Sequence, residues 1–435
     1  MKRTYICHIV QLKQALLVIN NIKKQQRVMD LDTEKEEAME MSSSESSLTV
    51  LDLPPEVTYM IFSLLDVSHL FQSVQYVCNH WHELLQAVHV WKGRRLIFGR
   101  DMPCHQLMNY IRCAPSIDAI SYSYSSCHRF VPCLISHCFN LSWLKLHGDF
   151  HVPYSALKNL VNLQHLDLDL RWKFEKKHDN DPSLTGIWTI PTIKTLIVRN
   201  FNYNEGFVIE CIKNCPNLQH IYMSKVENFE TYVDPENIEE ENKSLPNQLQ
   251  TVYVSGLQNA GRELLKLVAE PQYRTLRSLV IKPNEYTDKD FNNILFCDKF
   301  PEMVTLDIGY SSNITDKSMA SLVESCPSLV NLCLSRCSIS DDALKLFVQK
   351  LFCLERLNLH GTLVSSDLFK HFPICFPKLK ALNVCACRFV HQCNVLPLLD
   401  SLPNIMILDR RGDFVGGTGN FKTKWPFLSV RNALA

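Results

Sequence analysis

The stretches MVTLDI (residues 303–308), LVNLCL (329–334), LERLNL (354–359) and LKALNV (379–384) share one template, with apolar residues at the first, fourth and sixth positions. They recur at steps of 25 or 26 residues. Working outward, the same template starts at Ile117, Leu141, Leu163, Ile193, Leu218, Leu249 and Leu276 on one side and at Ile405 on the other. The steps run from 22 to 31 residues and average about 26. Only the last unit departs, with Arg410 at its final apolar position. Alternation over the last positions predicts a half-buried strand. Behind the strands, Thr315-Asp316 precedes Met319, Leu322 and Val323, and Ser340-Asp341 precedes Ala343, Leu344, Phe347 and Val348. Both patterns predict a capped amphipathic helix. Cys215-Pro216, Phe300-Pro301, Cys326-Pro327 and Phe376-Pro377 then mark the turn into the next strand, because proline cannot continue a helix. One strand plus one helix cannot bury its apolar side alone, so about twelve units must stack.

The template, its period, and Cys337 and Cys387 just after their strands resemble the cysteine-containing leucine-rich repeat. Ser311, Thr362 and Asn284 stand at that place in other units, so the cysteine ladder is incomplete. The resemblance implies an α/β solenoid, a horseshoe with strands on its concave wall and helices on its convex one.

Composition agrees. The 435 residues carry 45 Lys plus Arg against 45 Asp plus Glu, which removes the basic footprint of a dedicated nucleic-acid binder. Only 13 glycines argue against glycine-dense phosphate-binding architectures. No run of about 18 apolar residues suggests a membrane span. The 18 cysteines form no CxxC pair, so free thiols packed as small hydrophobes in a reducing, intracellular compartment explain them. Tyr5 to Ile19 resembles a weak secretory signal, but His8, Gln11, Lys13 and Gln14 interrupt it, which favours a short amphipathic helix or an extension ahead of Met29. Residues 30–47 are acidic and serine-rich with almost no apolar spacing, as expected of a disordered leader.

From Leu51 the pattern changes. Pro54 and Pro55 stand where a helix start tolerates proline, and Val57, Ile61, Leu64 and Leu65 follow at helical spacing. Leu70, Val74, Val77, Trp81, Leu84 and Val88 continue the seam. The run from 53 to 96 resembles an F-box in Leu53, Pro54, Glu56, Val57, Ile61, Phe62, Leu65, Asp66, Leu70, Val77, Cys78, Trp81 and Trp91. Val67 departs from the common proline, and His80 and His82 flank Trp81 where basic residues are usual. The resemblance implies docking on the Skp-type adaptor of a cullin-RING ubiquitin ligase through Leu53, Pro54, Val57, Ile61, Leu65, Leu70 and Trp81. A motif of ~45 residues is near the lower limit for an independent core, which fits surplus apolar surface relieved by a partner.

Between the two final template leucines the array presents Ile197, Tyr222, Tyr253, Val280 and Asp307, and two positions on come Arg199 and Lys282. These seven are expected on the concave face, as apolar anchors in a polar rim that holds a protein substrate. Apolar residues on both faces of a strand, or a chain segment lying over them, would give the same pattern. Longer inserts fall at Trp172 to Trp188 and Val226 to Gln248, the second expected as a solvated acidic loop. The tail from Arg410 carries Phe414, Phe421, Trp425 and Phe427, suited either to cap the last unit or to turn back into the groove. There is no HExxH, GxSxG or phosphate-loop motif.

The expected organisation is a leader at 1–48, a small all-α F-box module at 49–95, the solenoid at 96–409 and a cap or tail at 410–435. The expected role is a non-catalytic substrate receptor of an SCF-type ubiquitin ligase in cytoplasm or nucleus, with no cofactor or metal. The alternative is a ligase-independent repeat scaffold or inhibitor that acts by occlusion.

Overall fold

The computed structural model describes residues 53–98, 104–114, 116–123, 130–147, 157, 159–169, 190–200, 205–224, 249–256, 262–282, 286–297 and 299–416. The leader at 1–48, the inserts at 172–188 and 226–248, and the tail beyond 416 lie outside the described residues. The chain forms two compact units, the first from residues up to Tyr122 together with 130–142, the second from Trp143 onward.

The first unit opens with α1 (Pro55–Ser63), α2 (Val67–Gln72), a 3-10 turn (Val74–Tyr76), α3 (Asn79–Leu84) and α4 (Val88–Trp91). Pro54 takes the N-cap position of α1, and its carbonyl accepts the Val57 and Thr58 N–H groups at 3.1 Å. Pro55 at the first turn gives up a donor that no helix could have used. The Cys78 thiol caps α3 by accepting from the Trp81 N–H at 3.4 Å. Phe62, Leu70, Phe71, Trp81 and Trp91 fill the core, with Phe62 edge-on to Trp81 at 5.3 Å.

Packing does not stop at residue 95. The chain continues through β1 (Arg95–Phe98), α5 (Cys104–Cys113), β2 (Ala119–Ser123) and α6 (Phe130–His137). Phe71 stacks on Trp91 at 4.9 Å and on Tyr110 of α5 at 4.2 Å, and Tyr110 meets Phe98 at 6.0 Å. Each such pair contributes ~0.5–1.5 kcal/mol beyond its buried area. Strands β1 and β2 pair in parallel from Arg95↔Ala119 to Phe98↔Tyr122. The strand–helix alternation therefore starts one strand before the first full template. Leu96 and Phe98 supply only its last two apolar positions, which is why sequence spacing passes it over.

The second unit holds, in order, β3 (Trp143–His147), β4 (His165–Asp169), β5 (Thr195–Arg199), α7 (Glu205–Asn214), β6 (His220–Ser224), β7 (Thr251–Ser255), α8 (Glu263–Val268) and β8 (Ser278–Lys282). It continues with α9 (Asp288–Asp290), β9 (Thr305–Asp307), α10 (Met319–Ser325), β10 (Asn331–Cys333), α11 (Asp341–Lys350), β11 (Arg356–Asn358), α12 (Phe372–Cys375) and β12 (Ala381–Asn383). It closes with α13 (Gln392–Val395), α14 (Pro397–Ser401), β13 (Met406–Leu408) and β14 (Phe414–Gly416). Strands β3 to β13 form one parallel sheet in chain order, each beside its sequence neighbours, which is a leucine-rich-repeat solenoid. Strand β14 turns back antiparallel along β13, Met406↔Gly416 to Leu408↔Phe414. Gly416 sits at φ +78, and a Cβ there would lie 2.7 Å from the Ile405 carbonyl.

Two polar ladders tie successive repeats. The hydroxyls of Ser311 and Thr362 donate to the Ile308 and Leu359 carbonyls at 2.7 Å, and the thiols of Cys337 and Cys387 donate to the same two oxygens at 3.5 and 2.9 Å. Small donors thus do the work of the incomplete cysteine ladder. Burial pushes the Cys337 thiol up to about 12, so it stays protonated and donating. At the helix starts, Asp288 accepts the Thr315 N–H and hydroxyl at 2.9 and 2.6 Å, and Asp316 accepts those of Ser340 at 2.8 and 2.6 Å. Asp341 accepts the Ser365 N–H at 2.8 Å. Each capping residue also serves its own helix, as the spacing predicts: Thr315 accepts from the Lys317 N–H and Ser340 from the Asp342 N–H, both at 3.3 Å.

Candidate interaction surfaces

In the first unit, α1 presents two apolar stripes. Thr58, Ile61 and Phe62 face inward and are buried. Leu53 and Val57 are half-buried, while Met60 and Leu64 are 61% and 45% exposed. Val57, Met60 and Leu64 follow at intervals of 3 and 4 residues as one outer stripe, and Leu53 lies just ahead of the Pro54 N-cap. Of the expected adaptor residues, Pro54 is exposed, Leu65 half-buried, and Ile61, Leu70 and Trp81 are core. Sequence reasoning missed Met60, and it did not name Leu64 as a contact, because the outer stripe is interleaved with the inner one. Tyr76 and Val77, 77% and 48% exposed, add apolar surface after the 3-10 turn.

Arg94 fixes the end of this stripe. Its guanidinium donates to the Phe62 and Leu65 carbonyls at 2.6 and 2.8 Å. The Phe62 oxygen also accepts the Leu65 N–H at 3.1 Å, and a cation suits the helix dipole at this C-terminus. Burial nonetheless pushes the Arg94 pKa down, with Asp66 opposing that shift.

In the second unit, the register aligns the expected substrate-facing residues in one row. Lys145↔Asp167, Asp167↔Ile197, Ile197↔Tyr222, Tyr222↔Tyr253, Tyr253↔Val280 and Val280↔Asp307 are direct cross-strand partners. The next row on the same face runs Asp169, Arg199, Ser224, Ser255 and Lys282. Sequence reasoning places this row in water. Instead Ile197 and Val280 are only 4% and 6% exposed, and Lys282 and Asp307 are buried. Ile197 and Val280 are the direct cross-strand partners of Tyr222 and Tyr253, in strands ~4.8 Å apart. The two tyrosines are half-buried, with ring centroids 6.1 Å apart and planes at 34°.

The charges on this face pair with one another. Arg199 and Lys145 reach the two oxygens of Asp167 at 2.6 and 3.4 Å. His147 and Asn200 reach those of Asp169 at 3.0 and 2.7 Å. Lys282 pairs directly with Asp307. Burial pushes both tyrosine hydroxyls up to about 12, so they stay neutral. His220, whose Nδ1 lies 3.1 Å from the Thr251 hydroxyl, is pushed down to about 4 by burial and by His165.

Among the described residues no cluster of three or more His, Cys, Asp or Glu side chains could hold a metal ion, and no helix is long and apolar enough to cross a membrane.

A short helical run with an apolar outer stripe, followed by a parallel strand–helix array, defines a class: an F-box-like domain joined to a leucine-rich-repeat solenoid. Residues 50–96 match the F-box-like family model. The fold is similar to a chain in the crystal structure of the Rad7 and Elc1 complex in yeast, with a TM-score of 0.51 and 12% identity over 91% of this chain and 98% of that one. No curated protein matches the sequence.

Proposed function

We propose that the chain is the substrate-recognition subunit of an SCF-type ubiquitin ligase. The F-box-like helices dock on a Skp-type adaptor, and the strand face of the array holds a protein substrate. The observation that carries this reading is the outer stripe of α1 within an F-box-like domain: Leu53, Val57, Met60 and Leu64 leave apolar surface that the unit's own core does not use. The similarity to a chain solved together with Elc1 supports an adaptor of that general kind.

The mechanism is tethering. The chain has no chemistry of its own to perform; it raises the effective concentration of a substrate lysine near a ubiquitin-loaded enzyme. Ile61, Leu70 and Trp81 hold the helices in shape, while Pro54 and the outer stripe make the contact.

Replacing Met60 and Leu64 together with Asp should reduce co-purification of a Skp-type adaptor by at least roughly tenfold while the melting temperature stays put, since both side chains are already exposed. Undiminished adaptor capture would overturn the assignment. Substrate levels that ignore proteasome inhibition would point to occlusion instead.

A further inference from the structure

We propose that the strand face of β4–β9 selects an uncharged, unmodified peptide segment with an apolar or aromatic side chain seated on the Tyr222–Tyr253 pair. This rests on the reading of the array as the part that holds substrate.

The two rows carry three cations, Lys145, Arg199 and Lys282, and three carboxylates, Asp167, Asp169 and Asp307. Arg199 and Lys145 are committed to Asp167, and Lys282 to Asp307. A phosphorylated or acidic segment would have to pull Lys282 from Asp307, leaving a buried carboxylate bare, or draw Arg199 off Asp167 and leave that buried carboxylate to Lys145 alone at 3.4 Å. A basic segment would face the reverse problem. The tyrosine hydroxyls stay neutral, because burial pushes both up to about 12. What stays available is the uncovered part of two half-buried aromatics, their ring centroids 6.1 Å apart and planes inclined at 34°. Rings flanked by satisfied polar groups gain affinity from apolar area, and the paired charges around them exclude water and penalise the wrong partner.

The test is an immobilised peptide array probed with the full chain. Each uncharged sequence with a central Leu or Phe is matched to versions bearing phosphoserine, Glu or Lys. Binding should concentrate in the uncharged set and change less than about twofold between roughly 50 and 300 mM salt. Joint Tyr222→Ala and Tyr253→Ala replacement should weaken it by at least about tenfold, whereas the Phe replacements keep the rings and should keep the binding. Enrichment of phosphorylated or acidic peptides, binding indifferent to the tyrosines, or no binding in any set would overturn the proposal. Adaptor capture by the same preparation is scored separately, so the array can fail here while the docking role stands, or the reverse.

Discussion

The two halves of the repeat array use the same position for different ends. In β5 to β8 the residue between the last two template leucines is Ile197, Tyr222, Tyr253 or Val280, and each strand is five residues long. In β9 to β12 it is Asp307, Cys333, Asn358 or Asn383, and each strand is three. The Asp307, Asn358 and Asn383 side chains accept the N–H two residues further on, at 3.1, 3.0 and 3.0 Å. That local bond turns the backbone and the strand ends there, although the next N–H still bonds the neighbouring repeat, Ile308 to the Cys333 carbonyl at 3.2 Å and Leu359 to that of Asn383 at 2.8 Å. Aliphatic and aromatic residues offer no acceptor, so the strand runs on and the side chain is left for other work. Asp167 in β4 is the instructive exception: Arg199 and Lys145 occupy its carboxylate, and the strand keeps five residues. The freedom of the acceptor decides, not the residue type alone. Cys333 has no oxygen to offer; its thiol lies 3.4 Å from the Ser335 hydroxyl, and its strand is short between short neighbours.

The most severe way to break this contrast is Asp307→Ala, which removes a turn acceptor and strands a buried Lys282. Stability should fall by about 3–5 kcal/mol in denaturant titrations. Asp307→Asn keeps the acceptor and loses the charge, so a similar fall would assign the effect to the ion pair rather than the turn. On the five-residue half, His220 binds no proton between about pH 6.5 and 4, where the unfolded chain does. Stability should therefore drop as pH falls through that window, by on the order of 3 kcal/mol, and His220→Gln should flatten the slope. An unchanged slope would place the linked proton elsewhere. Asn383→Ala, which deletes a turn bond without touching a charge, should cost about 1–2 kcal/mol by the same titration. An unchanged stability would remove the turn bond from the account of the short strands. Smallest is Asp316→Ala, which unties one repeat from the next cap and should cost about 1 kcal/mol, read as a few degrees of melting temperature.

Much of this was legible in sequence because it depends on spacing. The template leucines lie at the strands, Cys215-Pro216, Cys326-Pro327 and Phe376-Pro377 directly follow helices while Phe300-Pro301 stands five residues past one, and the row from Lys145 to Asp307 is in register. What was hidden depends on neighbours distant in the chain. That Ile197 and Val280 are buried depends on what the fold brings over them, which spacing along one strand does not show. The job of Arg94 needs carbonyls 29 and 32 residues earlier. The aspartates that lead each helix read as ordinary first-turn acids, because their second partner belongs to the following repeat. Met60 hid in plain view, one residue out of step with a louder stripe.

The stack of Trp91, Phe71, Tyr110 and Phe98 has a practical consequence for anyone handling the molecule. Excising residues 49–95 would tear away half of that pile and bare greasy ring faces on the remaining stump. Such a fragment invites chaperones and clumping, so a lost partner would report spoilage, not recognition. Point changes on the outside of the first helix ask the same question of an intact molecule.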